Sequence, residues 1–163
     1  MHLIRWTSVA GLLVATGACG EAAGPTASAK LGPVRLTVSS SSPEVVRGSA
    51  VTFRVDLVNE GNQTVTLHFE DTCRIHPNIR NEAGEMVLPP GGVWGCMTVI
   101  HDFTLLPGQT NAWYLLWRGN ADFESAIFYT GSVLELPPGK YLFTAELPLG
   151  EATLRASTPI TLK

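Results

Sequence analysis

The chain has 163 residues, 45% of them hydrophobic and 15% charged, with a formal net charge of −3. It contains no basic run of the kind that phosphate backbones demand, so no nucleic-acid partner is expected. The length suits one domain with its own core rather than two, and no internal repeat is visible.

Residues 1–18 carry Arg5 as their only charge, an apolar run over residues 9–14 broken by Gly11, and small residues over 15–18. This is the pattern of an export signal, and the run is too short for a permanent membrane span of about 20 apolar residues. At its end Thr16-Gly17-Ala18-Cys19 resembles the bacterial lipobox, in which small residues precede a cysteine that is lipidated and becomes the mature N-terminus. Thr16 stands where an apolar residue is usual. Lipidation of Cys19 is the preferred expectation, because it removes an odd thiol from an exported protein. Ordinary cleavage after Ala18, leaving Cys19 free, is the alternative. Residues 19–33 are rich in Ala, Gly, Ser, Thr and Pro and are expected to form a flexible tether from the lipid anchor. The expected location is the cell envelope, membrane-anchored on its periplasmic or cell-surface side. Loss of residues 1–18 leaves ten basic against fourteen acidic side chains, a net charge of about −4.

The domain proper is expected to span residues 34–163. Alternation of period two in Val34-Arg35-Leu36-Thr37-Val38 and again from Val51 to Leu57 predicts half-buried strands, with Val51, Phe53, Val55 and Leu57 facing the core. Asn59-Glu60-Gly61-Asn62 supplies turn chemistry, after which Val65, Leu67 and Phe69 resume the alternation in a partner strand.

Cys73 and Cys96 bracket the next segment. Asn81-Glu82-Ala83-Gly84-Glu85 combines residues that tolerate positive φ, between Ile79 and Met86-Val87-Leu88, and predicts a chain reversal near residue 83. In such a hairpin the two cysteines lie nearly opposite, and a disulfide is the preferred reading. The competing reading is tetrahedral zinc held by Cys73, His76, Cys96 and His101, although this spacing fits no standard finger.

Residues 97–106 read as a strand, Leu106-Pro107-Gly108-Gln109 as a turn, and Ala112 to Trp117 as the next strand. Residues 118–137 are left as a long connection. Leu136-Pro137-Pro138-Gly139-Lys140 opens a final hairpin in which Tyr141, Phe143 and Ala145 alternate, and Leu154 to Leu162 closes the sheet. No segment shows sustained helical periodicity with caps at both ends. The expected fold is an all-β, antiparallel, immunoglobulin-like β-sandwich in a single domain, without the antibody spacing of Cys, Trp and Cys.

The strand pattern and its punctuation resemble the BsuPI-type intracellular proteinase inhibitor domain, an immunoglobulin-like β-sandwich family. Phe53, Val55 and Leu57 leading into Val58-Asn59, then Thr66-Leu67-His68-Phe69, carry the first part. Asn78 to Gly84 before Trp94, Phe103, the Leu106-Pro107-Gly108 turn, Trp117 and Leu136 to Tyr141 carry the rest, over roughly residues 49–147. The chain departs from the family in its export signal and in the longer segment between Trp117 and Pro137. The resemblance implies a non-enzymatic domain that binds or inhibits a protease. No inhibitory motif transfers residue by residue.

Gly91, Gly92, Val93 and Trp94 form a candidate binding loop, because an aromatic side chain between glycines suits a contact anchor. In the alternative, Trp94 packs over the disulfide or the sheet. The partner is expected to be a protease or another envelope protein. A structural or accessory envelope domain with no protease target is the second reading. Catalysis is not expected. The pairs His101-Asp102 and Glu70-Asp71 are strand neighbours that point to opposite faces, and no nucleophile elbow, phosphate loop or zinc-protease helix is present. No cofactor or metal is expected.

Overall fold

The computed structural model describes residues 24–125 and 127–163. The expected export signal, Cys19 and the first part of the expected tether lie outside the described residues. The strands are β1 (Thr26–Leu31), β2 (Val34–Ser40), β3 (Glu44–Val45), β4 (Val51–Asn59), β5 (Val65–Asp71), β6 (His76–Asn81), β7 (Met86–Leu88), β8 (Thr98–Leu105), β9 (Thr110–Trp117), β10 (Gly139–Leu149) and β11 (Ala152–Leu162). One sheet has the order β1-β2-β4-β9 and the other β3-β11-β10-β6-β7, while β5 and β8 form a separate ribbon. The fold is therefore an all-β sandwich in one domain. Pairing is antiparallel except where β3 runs parallel to β11 through Thr161↔Glu44 and Leu162↔Val45.

The alternating residues do what their period dictates. Leu36, Val38, Val51, Phe53, Val55 and Leu57 are fully buried on the inner face of the first sheet. They meet Ile79, Phe143, Ala145, Leu147 and Ile160 from the second. The rings of Phe53 and Phe143 stack across the two sheets with centroids 4.0 Å apart. Each side chain of this size contributes about 1.5–3 kcal/mol when it leaves water, so the two inner faces hold the layers together. The final hairpin runs in unbroken register from Gly139↔Leu162 to Leu149↔Ala152.

Two expectations are corrected. The flexible tether does not extend to residue 33, because β1 pairs with β2 from Thr26↔Ser39 to Leu31↔Val34. Its small residues leave little to bury, but an edge strand is held by its backbone ladder, which composition does not report. Gly32, at φ +56°, turns the chain between the two strands. Lys30 Nζ also lies 2.9 Å from Glu60 Oε2, and that bond, with Arg35, lowers the Glu60 carboxyl below its ordinary pKa. The second correction concerns β5. It does not pair with β4 as a hairpin partner. β4 is already flanked by β2 and β9, and β5 pairs with β8 from Val65↔Leu105 to Asp71↔Thr98.

Asn59 explains why the chain leaves β4 at that point. Its side chain is fully buried, and its amide nitrogen donates to Gln63 O at 2.8 Å and Leu105 O at 3.0 Å. Its carbonyl oxygen accepts from Gly61 N at 2.9 Å. One amide thus ties the end of β4 to the following turn and to the end of β8. Asn59→Ala strands buried carbonyls at this junction and is expected to cost about 2–3 kcal/mol, read as a lower denaturant midpoint at unchanged slope.

Candidate binding face

Cys73 and Cys96 are joined by a disulfide, with Cα atoms 5.6 Å apart. The reversal between them lies where turn chemistry placed it, since Ile79 pairs with Leu88 and Arg80 with Met86. Asn81 closes it by accepting Gly84 N at its backbone carbonyl and Glu85 N at its side-chain oxygen, both at 2.9 Å. The bridge fastens the segment after β5 to the segment before β8. Thr72 N donating to Met97 O at 3.0 Å reinforces it.

The four residues of the zinc alternative do not form a ligand set. The two sulfurs are bonded to each other. His76 Nε2 lies 2.8 Å from Asp71 Oδ2, and His101 Nε2 accepts from Arg74 Nε at 3.2 Å. Asp71 has a structural task as well, because its Oδ1 also accepts Cys73 N at 2.9 Å and Arg74 N at 3.3 Å. This carboxylate fixes the sharp bend in which Arg74 takes a φ of +60°. The Arg74 guanidinium then lies over the Phe103 ring, 4.6 Å from its centroid. His101 and Asp102 face opposite ways. His101 stacks on Phe69, whereas Asp102 lies 2.5 Å from His68 Nδ1 across the ribbon.

The loop of Gly91, Gly92, Val93 and Trp94 divides into an exposed tip and a packed base. Pro90–Gly92 make a single 3-10 turn, and Val93 is 77% exposed. Trp94 is half-buried, between the exposed anchor and the packed alternative. Its indole Nε1 donates to Pro77 O at 2.7 Å. Its ring stacks on Phe123 at 6.1 Å and meets the edge of Phe128 at 5.2 Å, so it packs on the long connection.

That connection, residues 118–137, is irregular yet built around a buried carboxylate. Asp122 is 4% exposed, and its oxygens accept Phe123 N, Thr130 N and Gly131 N at 2.7–2.8 Å. Sequence reasoning missed Asp122. The available signal was a lone acid beside Ala121 and Phe123, with Thr130-Gly131 eight residues on.

A cleft of about 360 Å³ opens beside Trp94. His76, Asn78 and Glu146 line it, and they share one face of the second sheet because His76 pairs with Glu146 and Asn78 with Thr144. Ile79 and Phe143 point the other way, into the core. Glu70 and Asp71 from β5, with Met86, Pro89 and Trp94, complete its walls. Val93 in its lining is 77% exposed, and Met97, Val99 and Ile100, further along the same segment, are 68%, 45% and 82% exposed.

No protein-family model matches the sequence, and no curated protein does. Among solved structures, the chain is similar to a β-glucosidase from Erythrobacter marinus, at 16% identity and a TM-score of 0.43. The match covers 84% of this chain and 16% of that one.

Trp94→Ala is expected to lower stability by about 3 kcal/mol, and Trp94→Phe, which keeps the ring contacts and loses one hydrogen bond, by about 1 kcal/mol. Urea melts of the two variants check this. Equal losses would show that the hydrogen bond to Pro77, and not the ring packing, holds the loop.

Proposed function

We propose that this chain is a non-enzymatic, exported and lipid-anchored binding module of the cell envelope that recognises a protein, with a protease as the target class. The observation that carries the reading is the exposure of Val93, Met97, Val99 and Ile100, four apolar side chains in an eight-residue stretch that the disulfide at Cys96 braces. Contiguous exposed apolar groups bordered by polar ones mark interaction surfaces more often than bare monomer surface. The disulfide supports the compartment, since such bonds persist outside the reducing cytoplasm. The resemblance to BsuPI-type inhibitors supplies the target class.

In this reading Cys19 carries the anchor. Gly24 follows it by five residues, and Pro25 O accepts from Thr158 Oγ1 at 3.0 Å. Covalent reach limits that span to about 17 Å, so the module works close to its membrane.

Intact mass spectrometry of protein taken from its native membrane tests the anchor and the staple together. The expected spectrum has an acyl adduct on Cys19 and two thiols that alkylate only after reduction. An unlipidated mature chain removes the anchor from the reading.

The binding role is tested by titrating the purified chain against envelope proteases. Stoichiometric loss of activity of at least one protease is expected, weakened tenfold or more by Ile100→Asp, an exposed change that leaves the melting curve in place. Full protease activity at excess domain would favour the accessory, spacer-like alternative.

A further inference from the structure

We infer that the loops at one end of the sandwich rest on the bilayer that anchors the chain, with Val46, Val133 and Leu134 entering the boundary between lipid head groups and acyl chains. Topology fixes which end. The sheets finish there at Val51↔Trp117 and Gly139↔Leu162, and what extends past them is the loop after β3 and the connection of residues 118–137. β1 runs antiparallel to β2 and starts at Thr26 opposite Ser39, so the chain that precedes it heads toward this same end. Pro25 is fastened there, its carbonyl accepting Ser40 N at 3.3 Å and Thr158 Oγ1 at 3.0 Å.

These loops hold out apolar groups that the core does not use. Val133 is 90% exposed, Leu134 64% and Val46 58%. The two loops adjoin, because Arg47 Nη2 donates to Leu136 O at 3.4 Å and its Nε lies 3.6 Å from Glu135 Oε2. Their backbone is pinned as well. Leu134 O accepts Ala121 N at 2.8 Å, and Asp122 holds Thr130 N and Gly131 N. The exposure is therefore part of the fold, and contiguous exposed apolar groups mark contact surfaces. Tyr129, 69% exposed on the same connection, has the amphipathic ring that suits the level of lipid head groups.

The length of the anchor segment says what covers them, and to that extent the placement rests on the lipid-anchor reading of Cys19. Five residues separate Cys19 from Gly24, a reach of about 17 Å. β1 alone extends about 20 Å toward the opposite end at 3.3 Å per residue, so that end cannot be laid on the bilayer while Cys19 stays in it. The end with Val46, Val133 and Leu134 is the one that the tether draws down, and buried apolar area then adds to the hold of the acyl chains. Charge agrees with this placement. Glu44 lies 2.6 Å from Lys163, Glu135 is paired with Arg47 and Glu124 with Arg118, so these carboxylates meet anionic head groups with their charge already balanced.

The test takes the chain from Cys19 onward with its disulfide intact, coupled through the Cys19 thiol to a maleimide lipid. The nanodiscs are of phosphatidylethanolamine and phosphatidylglycerol, with gadolinium chelated on a fraction of the head groups. Chemical coupling supplies the tether whether or not cells acylate Cys19, so the anchor reading and this one fail separately. Methyl signals of Val46, Val133 and Leu134 are expected to broaden at least threefold more than those of Leu31 and Leu106, exposed groups at the opposite end. Val133→Asp combined with Leu134→Asp should reduce the broadening at Val46 at least threefold, with Val46→Asp read at Val133 deciding the matter if the double variant does not fold. Equal broadening at the two ends, or undiminished broadening in the variants, overturns the inference. Methyl signals that ignore the bilayer and shift instead with a purified protease give the loops to a protein partner and overturn the lipid assignment.

Discussion

The stack of Phe53 on Phe143 is the contact on which the rest of the molecule depends. One ring comes from each sheet, with planes within 5° of parallel, so the stack sets the spacing of the sandwich at its centre. Phe123 meets both rings edge-on, at 6.4 Å and 5.9 Å. The irregular connection is thereby fixed to the core, and Trp94, stacked on Phe123, fixes the Gly91 to Trp94 loop to the connection. Aromatic pairs of this kind contribute about 0.5–1.5 kcal/mol beyond the area they bury. The larger consequence is geometric. The tip at Val93 is exposed, but its base is located by a chain of rings that begins at the centre of the sandwich.

That arrangement matters because the face carries features that oppose folding. An unpaired buried acceptor such as Asn78 Oδ1 costs about 1–3 kcal/mol, and exposed Ile100 and Met97 forgo burial altogether. A disulfide closing 23 residues contributes on the order of 3 kcal/mol in the chain-entropy picture, enough to offset one of these but not several. The rest is borne by the sheets. A domain with this core can keep a poorly satisfied surface at one edge, and a face preorganised before a partner arrives loses less freedom on binding.

Much of the fold was legible because strands that bury one face must alternate. Val51, Phe53, Val55 and Leu57 announced β4, and Tyr141, Phe143 and Ala145 announced β10, for that reason alone. The Cys73–Cys96 pairing was legible from turn chemistry at Asn81 to Glu85, a local property. What stayed hidden was non-local. β1 is a strand because β2 offers it a ladder, and no property of Thr26–Leu31 reveals that. The passage of β5 to β8 depends on a side-chain amide, Asn59, reaching Leu105 O across 46 residues. In the loop of Gly91 to Trp94, the packing of its members was not legible. An indole beside glycines looks exposed until Phe123 and Phe128, from a segment with no readable period, are placed against it. Asn78 was invisible for the same reason, since what distinguishes it is what surrounds it, and Asp122 left only the faint signal of an acid set between Ala121 and Phe123.

The titratable groups around the face are engaged in holding its shape. Asp71 is held by two amides and His76, His101 by Arg74 and the Val99 carbonyl, and His68 and Asp102 by each other. A general base works by leaving a lone pair free beside the proton it will take, with a nucleophile or acidic hydrogen within reach. Here the lone pairs are spent on locking the bend at Arg74 and the ribbon of β5 and β8. Glu70, exposed in the lining of the cleft, makes no ion pair among the described residues. Polar groups committed to shape in this way hold the face in one arrangement before anything meets it.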